Sequence, residues 1–439
     1  MTDDTAPAAS PASPPATAAA GQPAPAAPAA LTAPRPALPL WPVWAVLLAA
    51  AGTFALTMGS RQAMGLFLGP LNTATGLGLG SISLAFAFGQ LFWGLTQPFA
   101  GAIADKVGAG RVLLVGASLV ALGTVLTPLA TSTAGLIFAI GVLSAGGAGM
   151  AGPAVLMAAT TRLIPAEWRG LATGIVNAGG SFGQFVMAPV AGALIIGLGW
   201  VSAMQVMGLL VLLCLPAAFI LKGPGVQAAA AAAGLPTPSL GEAMRVALAD
   251  RSFRLLAAGF FVCGFHVAFL GTHLPGIVAA CGLPLQYGAW ALAVLGLFNI
   301  VGSLAMGWAV GRWRMKSLLA LVYAARAVAV LAFLLAPKTG PVVLVFAAFM
   351  GLTFLSTVPP TAGLVAKFFG VRHMATLFGV VMLTHQVGGF LGAWLGGKVF
   401  ESTGSFDTVW LIDIALAIAA ALAHLPIREA HLTRRSAAA

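Results

Sequence analysis

Charge is scarce in this chain. Of 439 residues only 7% are Asp, Glu, Lys or Arg, against roughly 25% in a soluble globular domain. Twenty-one basic and ten acidic side chains cannot wet the surface of a globule this size, which excludes a soluble enzyme. Cysteine is almost missing. Cys214, Cys263 and Cys281 all lie in apolar runs and read as small buried hydrophobes, not as a disulfide framework or a metal cluster. The signatures of soluble chemistry are also absent: no glycine loop ends in Lys-Ser/Thr, and there is no CxxC pair and no HExxH. No metal, no cofactor and no enzymatic activity are expected.

What fills the chain is apolar sequence. Hydrophobic residues make up 60% and mean hydropathy is +1.00. Residues 112–161, 170–221 and 255–311 contain no Asp, Glu, Lys or Arg. One bilayer crossing takes about 20 residues, so each window holds two crossings and a turn. Twelve apolar segments emerge, near 42–69, 81–103, 109–130, 133–160, 170–197, 199–221, 254–280, 288–310, 317–336, 341–366, 374–399 and 406–425. Lipid offers backbone groups no partner, so these segments must be helices. The 55 glycines suit close helix packing there.

The basic residues set the expected topology. With the N-terminus taken as cytoplasmic, 17 of the 21 fall on inner loops and tails, Lys338 and Lys398 fall outside, and Arg61 and Arg326 fall within spans. This distribution accounts for the net charge of +11, so no nucleic-acid partner is expected. Residues 1–40 are rich in Ala and Pro and are expected to form a disordered cytoplasmic tail. No basic n-region with a short apolar stretch marks a signal peptide. An N-terminal six-helix bundle, 41–221, is expected to be joined to a C-terminal one, 254–425, by a cytoplasmic linker, 222–253, with a short surface helix near 239–250. A cytoplasmic tail, 426–439, follows.

An internal repeat supports the two halves. Leu91-Phe92 through Gly101 to Leu113 matches Leu297-Phe298 through Gly307 to Leu319, and Arg169-x-x-Ala172-Thr173 matches Arg372-x-x-Ala375-Thr376. Two such halves point to a transporter with its substrate near the midplane between them. With no nucleotide motif, a gradient must drive transport.

Between the second and third spans stands Gly101-Ala-Ile-Ala-Asp105-Lys106-Val-Gly108-Ala-Gly-Arg111. This resembles the signature loop of the major facilitator superfamily. The resemblance covers about residues 41–425 and implies an all-α membrane protein of twelve helices in two pseudo-symmetric six-helix bundles. It also implies a monomer and a loop that gates the conformational change. In that loop Gly101 is expected to allow close helix approach. Asp105 is expected to cap a helix end and pair across the two halves. Lys106 and Arg111 would sit at the headgroups, and Gly311 stands in the second copy where Asp105 stands in the first. Within the superfamily the sequence looks most similar to monocarboxylate porters and oxalate–formate antiporters. Arg61 in the first helix falls where monocarboxylate porters carry a substrate-linked lysine. Relatives usually carry an arginine on the eighth helix, where Asn299 to Ser303 has no charge. The alternatives are a proton-driven efflux pump for amphipathic compounds and a transport-inactive membrane receptor. The fourth span, Ile137–Met157, lacks the arginine usual in drug–proton antiporters.

Polar residues inside the spans are the candidate site. Arg61 lies roughly 26 Å along its helix and should face the interior, where its planar fork would hold a carboxylate at two points. His266 and His273 are seven residues apart in the seventh span and share a face. His385 or Gln386 in the eleventh, Asn299 in the eighth, and Asn177 and Gln184 in the fifth complete the substrate-binding candidates. Arg326 and Asp413 belong to peripheral helices and read as a buried structural pair or as groups with separate partners. The expected substrate is a small organic anion, a monocarboxylate or dicarboxylate, with protons as candidate co-substrate. The expected location is a bacterial inner membrane, both termini inside. Trp41, Trp44, Trp200, Trp313 and Trp410 lie near span ends and are expected in interfacial belts.

Overall fold

The computed structural model describes Met1 and residues 42–165, 169–222, 240–369 and 374–429. Among them twelve helices are long and apolar enough to cross a membrane. In chain order they are α1 (Val43–Thr75), α2 (Leu79–Ala104), α3 (Ala109–Leu129), α4 (Thr133–Thr160), α5 (Gly174–Leu198), α6 (Trp200–Ile220), α7 (Arg251–Ala280), α8 (Leu285–Val310), α9 (Met315–Leu335), α10 (Gly340–Phe369), α11 (Leu377–Thr403) and α12 (Asp407–His424). A short helix, Leu240–Ala249, precedes α7. An even number of crossings brings both ends of the described chain to one side, called here the termini end; the other is the distal end.

Turns between helices are built from residues that suit them. Gly108 adopts a φ of 93° and Gly199 one of 78°. This left-handed region is open to glycine at little cost, so α2 passes to α3, and α5 to α6, through a single residue. Asp250 caps α7 by accepting from the Phe253 N–H at 2.9 Å. Large apolar side chains such as Leu48, Val115, Leu213, Leu321 and Val345 stand exposed, as a lipid-facing surface requires.

The two halves share one packing device. On α5, Gly179 and Gly183 lie against the backbones of Ala51 and Ala55 on α1, so that an added Cβ at either would overlap them. On α11, Gly388 and Gly392 lie likewise against Phe261 and Phe265 on α7. A small residue every fourth position lets helix axes approach where no hydrophobic force separates helix from lipid. The same crossing recurs in the halves because α1 and α7, and α5 and α11, are repeat partners.

Contacts between the halves are asymmetric. At the distal end Gly78 and Gly80 abut Glu401, and Gly397 abuts Ser83. Deeper, Phe88 meets Phe390 edge-on with ring centroids 5.4 Å apart. Gly94 packs on Gln386, and Asn299 donates to Ser181 Oγ at 2.9 Å. Beyond these positions, toward the termini end, Leu95, Phe99, Ile103, Leu304 and Leu383 are exposed. A Cβ on Gly101, Gly174, Gly307 or Gly379 would meet nothing within 4 Å among the described residues. The halves thus seal at the distal end and part at the termini end.

This corrects two expectations. Gly101 makes no close helix approach here, because the halves diverge at its level. Trp410 belongs to no interfacial belt; it is buried against Phe269, Phe333 and Phe346. Trp44 and Trp313 are exposed, and Trp41 lies outside the described residues.

Candidate functional site

A cavity of about 30 Å³, room for one or two waters, lies between α1, α2, α4 and α7. Arg61, Gln62 and Met64 line it from α1, Phe86, Gly89 and Gln90 from α2, Ile140, Ser144 and Ala145 from α4, and Gly271 and Thr272 from α7. Irregular backbone frames it. Just past Arg61, residues Met64–Phe67 tighten into a 3-10 turn, while Ile137–Ala145 widens into a π-helix. Such departures inside a membrane are tolerated where they line a cavity, and π turns concentrate at functional sites. Gly65 brings α1 within reach of α7: an added Cβ would lie 2.6 Å from Gly271 O.

Arg61 is the cation of this cavity, and all its partners are neutral. Nη2 donates to Gln90 Oε1, Nη1 points at Met58 Sδ at 3.8 Å, and the Trp93 ring centroid lies 4.8 Å from Cζ. The described ion pairs lie elsewhere, between His266 and Asp413, Lys367 and Glu429, and Lys398 and Glu401. Among the described residues no carboxylate stands within 4 Å of Arg61. A guanidinium in an apolar setting gains little from an amide and a ring compared with a carboxylate. The arrangement therefore offers a fork of donors to an anion.

The remaining candidates divide by place. Gln386 sits on the seam between the halves, 1% exposed, with neither Oε1 nor Nε2 hydrogen-bonded. It packs on Gly94, one turn along α2 from Gln90. His385 turns to the other side of α11, against Phe260 at 4.9 Å. Gln184 and Asn299 lie on the α5–α8 seam. Asn299 donates to Ser181 and accepts from Leu355 N at 3.0 Å, while Gln184 Nε2 has no hydrogen-bond partner. Asn177 is exposed beyond the seam.

His266 and His273 do not line the cavity. His266 Nδ1 stands against Asp413 Oδ1 of α12, both side chains fully buried. His273 Nε2 donates to Ala393 O at 2.7 Å, between the rings of Phe269 and Phe406. They share a face, as their spacing requires, but that face turns to α11 and α12, leaving Gly271 and Thr272 to meet α1.

Arg326 and Asp413 have separate partners and form no pair with each other. Arg326 Nη2 donates to Thr353 O and to Phe354 O, the second at 2.7 Å. There α10 breaks ahead of Pro359-Pro360, whose missing N–H groups interrupt the helical ladder. Of the signature loop, Arg111 is exposed on the first turn of α3; the side chains of Asp105 and Lys106 lie outside the described residues.

Sequence reasoning passed over Gln62, Gln90, Ser144 and Thr272. The signal for Gln90 was present: an amide in the middle of an uncharged span, one residue before the repeated Leu91-Phe92.

Comparison with known proteins agrees with this architecture. The chain is 24% identical to the MFS-type transporter YcxA of Bacillus subtilis (strain 168) over 80% of its own length and 87% of the relative's. It is 25% identical to monocarboxylate transporter 13 of Rattus norvegicus, covering 85% and 86%. A crystal structure of a D-xylose-proton symporter superposes with a TM-score of 0.70 at 14% identity, covering 88% of this chain and 98% of that one, a likeness of fold. The profile of the Major Facilitator Superfamily matches residues 47–393, and the chain is a member of that superfamily, an integral multi-pass membrane transporter for a small molecule.

Proposed function

We propose that this transporter moves a small organic anion, a monocarboxylate or dicarboxylate, by alternating access, with Arg61 as the anchor of its carboxylate. The observation that carries this reading is the Arg61 guanidinium, set in the cavity among neutral partners only. Charge on a membrane-embedded side chain costs several kcal/mol unless something balances it. A bound carboxylate supplies that balance and matches the planar fork at two oxygens. Gln90, Gln62, Ser144 and Thr272 add neutral hydrogen-bonding groups around the same space, and Gln386 adds an unengaged amide next to it. The naming of a relative as a monocarboxylate transporter supports the same class.

The halves are taken as 41–221 and 254–425, joined by 222–253. With most basic residues at the termini end, the positive-inside rule makes that end cytoplasmic. The sealed distal end and parted termini end then correspond to an inward-facing state. The cavity lies wholly within one chain, which suits a monomer, and the Ala/Gly-rich composition suits a bacterial inner membrane.

Uptake of labelled lactate, pyruvate, formate and oxalate into proteoliposomes tests the reading, for wild type and Arg61→Ala. Saturable uptake that disappears in Arg61→Ala is expected. Absence of uptake of all four, in protein shown to be folded, would overturn the small-anion reading in favour of efflux of larger amphipathic compounds.

A further inference from the structure

We infer that this transporter works as an anion exchanger, in which the carrier reorients readily only with an anion bound. The inference rests on Arg61 as the anion's anchor and concerns what happens when the site is empty.

The empty cavity keeps a positive charge. Arg61 is its cation, and no Asp, Glu or His is among its lining residues. The other described carboxylates are engaged or remote. Asp413 faces His266, Glu401 faces Lys398 and Glu429 faces Lys367. Asp250 caps α7, and Asp407 lies in the first turn of α12.

Alternating access must pass through a form closed at both ends. The distal closure already leaves the cavity room for only one or two waters. Hydration that balances Arg61 in an open form is lost there, and Gln90 and the Trp93 ring replace only part of it. An empty carrier therefore crosses the closed form with a poorly solvated charge. A carrier holding a monoanion crosses it with the charge neutralised, and Coulomb attraction across a contact distance is strong at low effective dielectric. The loaded passage is the faster one.

A proton could replace the anion as the balancing device only through a titratable group at the cavity. The described candidate, His266 with Asp413, is buried between α7 and α12, on a face of α7 turned from the cavity. The anion itself is then what permits reorientation in both directions. Net movement needs the slow empty return; exchange of one anion for another does not.

The test uses the full chain in liposomes, with labelled pyruvate outside and, inside, either unlabelled pyruvate or isosmotic sucrose. Formate, lactate and oxalate are run in parallel. Initial uptake is expected to be roughly tenfold or more faster into the anion-loaded vesicles, with or without an inward proton gradient. Equal rates into loaded and sucrose vesicles would overturn the exchanger. So would a proton gradient that lifts the sucrose vesicles to the loaded rate. Both of those outcomes leave the anion reading intact. Uptake of no anion under either loading would overturn that reading and the exchanger with it.

Discussion

The Arg61 guanidinium donates to Gln90 Oε1 across the α1–α2 contact, while Trp93, three residues further along α2, covers the same group at 4.8 Å. One helix thus both orients the cation and shields it. Removing the amide should free the guanidinium without removing its charge. A hydrogen bond to a charged group is worth about 1.5–3 kcal/mol, so Gln90→Leu should lower kcat/KM for the transported anion by roughly 10- to 100-fold. Arg61→Lys keeps the charge but loses the planar fork, and should chiefly raise KM. Concentration-dependent uptake by the two variants checks both.

Gln386 offers a different kind of test. Its amide is buried with neither polar atom engaged, an arrangement that costs about 1–3 kcal/mol. Gln386→Leu removes the cost and keeps the volume, so thermal unfolding in detergent should occur at the same or a higher temperature. Transport should nevertheless fall, because an amide held unpaired on the seam is available to substrate or to the partner half in another state. Higher stability with undiminished uptake would count against that role.

The fold was open to reading because its causes are local. The charge-free windows, the position of Asp250 before α7 and the asymmetric basic residues each act within a few residues of where they stand. Candidate site residues were read less well because lining a cavity depends on how each helix is rotated in the bundle. Spacing places His266 and His273 on one face, but only packing decides that this face meets Asp413 and Ala393. Gln90 finds its partner 29 residues away across a turn. The π winding of Ile137–Ala145 shifts which residues of α4 face inward, and that apolar stretch carries no cue for it.

His266 and Asp413 form a buried pair away from the cavity. Removing one member leaves the other without compensation, which costs about 3–5 kcal/mol. Asp413→Leu or His266→Phe alone should therefore destabilise strongly. The double substitution should recover much of the loss, with KM changed by less than about twofold. A double-mutant cycle on unfolding, with uptake kinetics on the double variant, measures both.

Arg326 holds the break in α10 together by donating to the carbonyls of Thr353 and Phe354. Arg326→Met leaves two buried acceptors without a donor, at about 1–3 kcal/mol each. Thermal unfolding in detergent should show a clear drop. Arg326→Lys restores one donor group and should recover part of it.

Gly65 controls how closely α1 approaches α7 beside the cavity. A Cβ there would lie 2.6 Å from Gly271 O and 2.8 Å from Thr272 O. Both are backbone atoms and cannot rotate aside, so any side chain pushes the helices apart. Gly65→Val should therefore weaken the distal seal and shift the population toward a form open at that end. Gly69, one turn on, has nothing within 4 Å of an added Cβ, so Gly69→Val serves as the control. Spin labels on Cys281 and on a Thr75→Cys substitution, both at the distal end, report the separation. Longer distances in Gly65→Val but not in Gly69→Val are expected; identical distributions in the two would show that the crossing does not control the seal.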